Sequence, residues 1–327
     1  MSFLFLGGAS MSRFSPLDSN AYESTEGGYQ TDINTFAIKV AAAHSGFESE
    51  HWADAADLWI HACHYNDNGD GFFSTADCIE VLSSAGVVVA RCRPVYTSSG
   101  VFNYKWSTLQ GGVMTEVGTA TGSTGNVRTL DLNLVGNTAS GSFSFYINGT
   151  QKLSVSGLNH AGFAGGAYVR FGGSHSASSP RAYWSEVAAA SHSLIGKRFE
   201  TRRPTGNSAA NLGWGAGDFS TVDDITFSDV DGISTSSAGE DRTFTYSTAN
   251  ANAWAIDAVG VSARSKAGAT GPQNQRALLR IGSTNYPADS KALIPGYAPK
   301  GGIWETDPST SSAWADLPDE FGVRSVA

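Results

Sequence analysis

Stretch after stretch of this chain alternates apolar and polar residues with period two, and each stretch stops at Gly, Asn or Ser. Successive side chains of a strand point to opposite faces, so the pattern builds half-buried sheet rather than an amphipathic helix. Residues 58–65 (LWIHACHY) set Leu58, Ile60 and Ala62 on one face and Trp59, His61 and Cys63 on the other. The turn Asn66-Asp67-Asn68-Gly69-Asp70-Gly71 follows, then Phe72-Phe73 opens the return. Residues 77–82 and 87–92 read as two more strands around the turn Ser83-Ser84-Ala85-Gly86. Residues 127–135 and 142–147 form further strands, the second running through Asn148-Gly149 into 151–155. Asn-Gly between alternating runs is the strongest short hairpin signal, because both central residues must take positive φ. Residues 167–171 and 182–188 close the series. Residues 36–43 (FAIKVAAA) read equally as strand or helix, and no long helix is apparent. Short strands at close, glycine-punctuated intervals predict an all-β, two-sheet sandwich or jelly roll.

Composition agrees. Charged residues make up 16% of the 327, against about 25% in an average soluble protein, and helix surfaces are where Glu, Lys and Arg usually collect. The 41% apolar share suffices for a sizeable core. A net charge of −9 argues against a nucleic-acid partner, which needs a basic face for phosphate. No apolar stretch nears the roughly 20 residues of a membrane helix.

The texture changes near residue 200. Residues 196–204 (GKRFETRRP) hold four basic side chains, and Thr205-Gly206-Asn207 reads as a connector. Beyond it, 224–227, 243–247, 254–261 and 276–281 predict a second, smaller β-rich unit, with 295–327 as an irregular tail on it. The expected organisation is a sandwich over 1–200 and a β-rich domain over 201–327. Met1-Ser2-Phe3-Leu4-Phe5-Leu6 lacks the positive start and the length of a secretory signal. It reads as an apolar arm that either caps its own sandwich or docks on a neighbouring subunit, and the freedom of Gly7-Gly8 favours docking. Its removal is then expected to leave the body folded.

The chemical motifs are weak. Residues 66–77 (NDNGDGFFSTAD) approach a calcium loop, with Asn66, Asn68 and Asp70 at positions 1, 3 and 5, Gly71 at 6 and Asp77 at 12. Asn at position 1, Asp where a bidentate Glu belongs, and strand flanks favour a plain turn. Glycan hydrolysis needs two carboxylates across the bond; the nearest run, Glu48-Ser49-Glu50-His51-Trp52-Ala53-Asp54, has the wrong spacing, and Asp223-Asp224 and Asp229-Val230-Asp231-Gly232 look like solvated loops. His61 and His64 fall on opposite faces of one strand; His44, His51, His160, His175 and His192 stand alone, and Gly165-Gly166 and Gly172-Gly173 read as turns. Cys63, Cys78 and Cys92 form no Cys-x-x-Cys and read as buried, unbridged thiols, with one bridge left open. No catalytic, metal or cofactor residue is therefore assigned. Trp52, Trp59, Tyr65, Trp106, Tyr183 and Trp184 are the candidate sugar platforms, most of them expected in the core.

Residues 142–153 (SFSFYINGTQKL) and Tyr183-Trp184-Ser185-Glu186-Val187 resemble the strand–Asn-Gly–strand hairpin and the late strand of concanavalin-A-like, laminin-G-like jelly rolls. Gly213-Trp214-Gly215, Asp231-Gly232-Ile233, residues 255–264 (AIDAVGVSAR) and the ending Trp304-Glu305-Thr306-Asp307-Pro308, Ala313-Trp314 and Phe321-Gly322-Val323 resemble a terminal module of tailed-phage virion proteins. Ser309 after Pro308, and Leu317-Pro318-Asp319-Glu320 in place of a short helix, depart from that pattern. The resemblance implies a non-enzymatic structural subunit of a virion appendage on a phage or phage-like gene-transfer particle, made in the bacterial cytoplasm. Its implied partners are other virion subunits, in homo-oligomers that include trimers, and host surface glycan. A free or cell-surface lectin is the alternative, and a glycoside hydrolase the third reading.

Overall fold

The computed structural model describes residues 2–25, 33–34, 36–41, 45–66, 77–96, 102–122, 127–172, 182–209, 214–215, 217–223, 229, 231–247 and 254–327. The chain divides into two compact units, Met1–Thr201 and Arg202–Ala327. The calcium-like turn at 67–76, His44, His175, Gly173, Gly213 and the expected strand at 224–227 lie outside the described residues.

Unit 1 opens with β1 (Phe3–Gly8), β2 (Phe14–Pro16), β3 (Ala21–Ser24), β4 (Ala37–Val40) and β5 (Gly46–Ser49). Then come β6 (Asp57–Asn66), β7 (Ile79–Leu82), β8 (Val88–Tyr96), β9 (Phe102–Gln110) and β10 (Val113–Thr121). The unit closes with β11 (Arg128–Val135), β12 (Gly141–Ile147), β13 (Thr150–Leu158), β14 (Tyr168–Gly172) and β15 (Ala182–Ala190). Among the described residues these form two antiparallel sheets. One runs β13-β12-β11-β6-β15-β4-β3 with β1 added on β15, and the other runs β10-β9-β8-β7-β14-β5-β2. This is the all-β jelly-roll sandwich that the alternation implies. Asn148 and Gly149 take φ of 49° and 71°, the conformation the Asn-Gly hairpin demands.

Between the sheets runs a continuous line of rings. Phe5 meets Phe14 at 5.3 Å, Phe14 meets Phe47 at 4.9 Å, Phe47 stacks on Phe171 at 5.5 Å, and Phe171 reaches Trp184 at 4.7 Å. Trp184 stacks on His64 at 4.2 Å, whose Nδ1 lies 3.0 Å from the Tyr104 hydroxyl. Tyr104, Phe145, Trp106 and Phe143 complete the line. Burial, and then the Arg128 guanidinium, hold the His64 pKa well below its ordinary value, so the imidazole sits in this core uncharged.

Three points that the alternation leaves open are decided in the structure. Of the two solutions for the N-terminal arm, the structure shows the first, a cap on its own sandwich: β1 pairs with β15, and Phe5 is the first ring of the core line. Phe5 keeps 1% of its surface, so leaving the sheet would expose it fully. Within the stretch 36–43, Ala37–Val40 is strand, as β4, and its lack of alternation has a cause: all four β4 residues are buried. The hairpin of β9 and β10 adds to the expected strands: β9 alternates, with Tyr104, Trp106 and Thr108 buried, whereas β10 is an edge strand with little burial on either face.

Unit 2 holds β16 (Gly206–Asn207), β17 (Asp241–Thr245), β18 (Val259–Ser265), β19 (Asn274–Ile281), β20 (Thr284–Pro287), β21 (Lys291–Ala292), β22 (Ala298–Trp304) and β23 (Glu320–Val326). One sheet runs β16-β17-β23-β19-β20 with β21 on β19, and β18 pairs with β22. The expected irregular tail is therefore half wrong: β22 and β23 lie in it, and β23 is a central strand. Gly322 disguises it, yet a side chain there would run into the Arg242 carbonyl of the neighbouring strand. The expected strand at 254–261 begins only at Val259. Val261, Ala277, Leu279 and Trp314 form the small core, and the Trp314 indole donates to the Trp304 carbonyl at 3.1 Å.

Candidate functional site

The alternation of β6 has a definite consequence. Leu58, Ile60, Ala62 and His64 turn inward, so Trp59, His61, Cys63 and Tyr65 share the outer face of the first sheet. Register brings Asn133, Asp131 and Thr129 of β11 opposite Trp59, His61 and Cys63. Tyr146 and Ser144 of β12 stand beside Asp131 and Asn133, and Ser154 and Ser156 of β13 face Ser144 and Ser142. The Trp59 and Tyr146 rings lie 5.9 Å apart at 29°. Asn133 donates to Asp57 at 2.8 Å. An aromatic pair thus adjoins a row of short hydroxyl and amide side chains.

One side of this face is covered. The segment after β15, residues 191–201, folds back as a strap over apolar residues that would otherwise meet water. Leu194 is buried on Ala188 and Ala190, with Phe3, Leu6, Trp59 and Phe199 packed around them. Asn34 pins the strap, donating to the Phe199 carbonyl at 3.2 Å and accepting from the Thr201 amide at 2.9 Å. Covered by the strap on one face and the core on the other, β15 is buried at all nine positions.

Beneath the strap lies a polar cluster. His61 Nδ1 and Asp131 Oδ1 are 2.7 Å apart, each side chain 1% exposed, and the Phe199 ring lies 5.2 Å from the imidazole. The pairing of β15 with β6 jumps from Ser185–Cys63 to Ala188–His61, so Glu186 and Val187 stand against Ala62 alone. In this bulge Glu186 takes φ of 55°, a left-handed conformation costly for a non-glycine residue. Its carboxylate accepts from Cys63 Sγ at 3.2 Å, from Arg198 Nη2 and Nε at 2.9 Å each, and from the Phe199 amide at 3.1 Å. Burial, and then the Glu186 carboxylate, push the Cys63 thiol well above its ordinary pKa.

The candidate platforms separate cleanly. Trp106 and Trp184 are wholly buried, Tyr183 nearly so, and Trp52 is held by the Gly166 carbonyl at 3.0 Å. Trp59 and Tyr65 remain half-buried on the outer face, and Tyr146, which the sequence did not single out, joins Trp59. Four of the carboxylates weighed for hydrolysis are engaged elsewhere: Glu48 with Arg170, Glu50 with Arg13, Asp54 with the Ser84 amide, Asp229 with Arg264. His61 and His64 do fall on opposite faces, but His61 does not stand alone. Its neighbours Asp131, Cys63 and Glu186 come from three strands, and neither their register nor the bulge has a local signal.

No protein-family model matches the chain, and no curated protein matches it. Among solved structures, the alginate lyase AlyC3 is 8% identical over 47% of this chain and 74% of its own, with a TM-score of 0.35. The carbohydrate-binding module CBM66 from Bacillus subtilis is 10% identical over 55% and 97%, at 0.35. The binding domain of Paraclostridial Mosquitocidal Protein 1 is 10% identical over 59% and 49%, at 0.41. At such scores none of these carries an argument about what this chain binds or does.

Proposed function

We propose that unit 1 is a carbohydrate-binding sandwich, and that the chain is a non-enzymatic subunit of a virion appendage. The observation that supports glycan binding is the Trp59–Tyr146 pair bordered by Asn133, Ser142, Ser144, Ser154 and Ser156. A pyranose offers an apolar C–H face and a rim of hydroxyls, which match a ring and short donors and acceptors respectively. Three carboxylates on this side of the sheet are engaged, Asp131 with His61, Asp57 with Asn133 and Glu186 with Arg198, which suits binding rather than bond cleavage. The appendage half of the reading rests on the resemblance of the C-terminal residues, among them Trp314 and Phe321-Gly322-Val323.

Affinity electrophoresis of the full chain against bacterial polysaccharides and alginate tests the first half. The wild type is retarded by at least one glycan, and Trp59→Ala/Tyr146→Ala loses at least tenfold in affinity while staying folded. Equal retardation of both proteins removes the outer face as the site, and release of reducing or unsaturated ends makes the chain an enzyme. Quantitative mass spectrometry of purified particles tests the second half: a fixed multiple of this chain per particle is expected, and its absence from particles overturns the appendage role.

A further inference from the structure

We infer that His61, Cys63 and Glu186 form a zinc site beneath the strap, independent of the glycan face. A ring nitrogen of His61, Cys63 Sγ and a Glu186 carboxylate oxygen lie within 4.8 Å of one another, and all three residues are buried. Tetrahedral zinc with ordinary bond lengths of about 2.0–2.3 Å sets its ligand atoms about 3.5 Å apart. Cys63 Sγ and Glu186 Oε1 already stand at 3.2 Å, so little movement is needed there.

A second observation points the same way. His61 commits Nδ1 to Asp131 at 2.7 Å, and its Nε2 is buried with no hydrogen-bond partner. With the proton held on Nδ1, the Nε2 lone pair is the free one. A carboxylate behind an imidazole in this manner is the usual support of a metal-bound histidine. A buried ring nitrogen without a partner otherwise carries a desolvation cost that a metal bond would remove.

The donor set selects the ion. One thiolate, one imidazole and one carboxylate suit zinc, whereas calcium and magnesium take oxygen ligands. Binding exchanges the Cys63 thiol proton for the ion, and the proton leaves to solvent. The charges then balance: Cys63 thiolate, Glu186 and Asp131 against Arg198 and a divalent cation. Arg198 keeps its hold on Glu186, while the S–H contact gives way to a shared ion. Three protein ligands leave a fourth position open. Because the strap covers the cluster, the ion enters as the chain folds or when the strap lifts.

The full chain is unfolded in denaturant with a chelator, freed of both, and refolded with zinc or with cobalt. We expect one equivalent of zinc to survive gel filtration, a higher Tm than the metal-free protein, and a thiolate-to-cobalt charge-transfer band in the cobalt form. Cys63→Ser abolishes the band, Cys78→Ser keeps it, and Asp131→Asn weakens zinc binding about 10–100-fold as expected of a positioning residue. Refolded wild type without bound zinc overturns the site. So does a wild-type cobalt spectrum without a thiolate band, which decides the matter even where a variant fails to fold.

Discussion

Arg198 closes on Glu186 with two hydrogen bonds of 2.9 Å, joining the strap to the bulge of β15. Glu186 is fully buried, whereas the Arg198 side chain keeps 26% of its surface. Removing the guanidinium leaves a buried carboxylate with only an amide and a thiol for partners. Arg198→Ala is therefore expected to destabilise unit 1 by about 3 kcal/mol in denaturant unfolding. Adding Glu186→Gln should recover part of that loss, since the uncompensated charge goes with it. An additive double variant would argue that the pair carries no coupling.

The first ring of the core line makes a sharper claim. Phe5 is 1% exposed and packs on Phe14, Trp52 and the Arg13 guanidinium. Phe5→Ala is expected to cost about 3–5 kcal/mol, and deletion of residues 1–8 to cost more, because the pairing with β15 is lost as well. An unchanged Tm after the deletion would return β1 to the status of a detachable arm.

Glu80 sits between Arg91 of β8 and Arg170 of β14 by register. Burial first, then the Asp77 carboxylate, raise its pKa above 4.5, and the two arginines pull it back only in part. The native state thus holds this proton more tightly than the unfolded chain. Its stabilising share is complete below 4.5 and is lost as pH rises through the raised value. Glu80→Gln should melt above the wild type at pH 7, with the gap closing as pH falls towards 4. A gap that is independent of pH would locate the effect in packing instead.

All three cysteines are buried and unbridged. A thiol reagent is expected to find none of them in the metal-free native protein and all three in denaturant. Two unreactive residues that become reactive only after reduction would reveal a bridge.

In unit 2, β23 lies between β17 and β19, and Arg324 donates to both oxygens of Asp241 at 2.6 Å. A chain ending at residue 319 should lose the unit-2 transition in calorimetry and keep the transition shown by a 1–201 fragment. Loss of both transitions would mean that the two units do not melt separately.

What the amino-acid sequence determined by itself was the class of the fold and which side chains share a face in each clear strand. Period-two alternation is a local property: Trp59, His61 and Cys63 share a face whatever lies beside them, and Asn148-Gly149 turns the chain wherever it occurs. Strands without that signature needed their surroundings. β4 shows no alternation because all four of its residues, Lys39 included, are buried, and β23 reads as a tail because Gly322 answers to a carbonyl on another strand. The outer-face site belongs to the same category. Asp131 meets His61 only through the register of β11 on β6, and Glu186 reaches Cys63 only because two residues of β15 stand against one of β6. A one-residue slip in either pairing would turn these side chains to the opposite face. Register is set by the summed burial of the whole sandwich, so no window of sequence contains it.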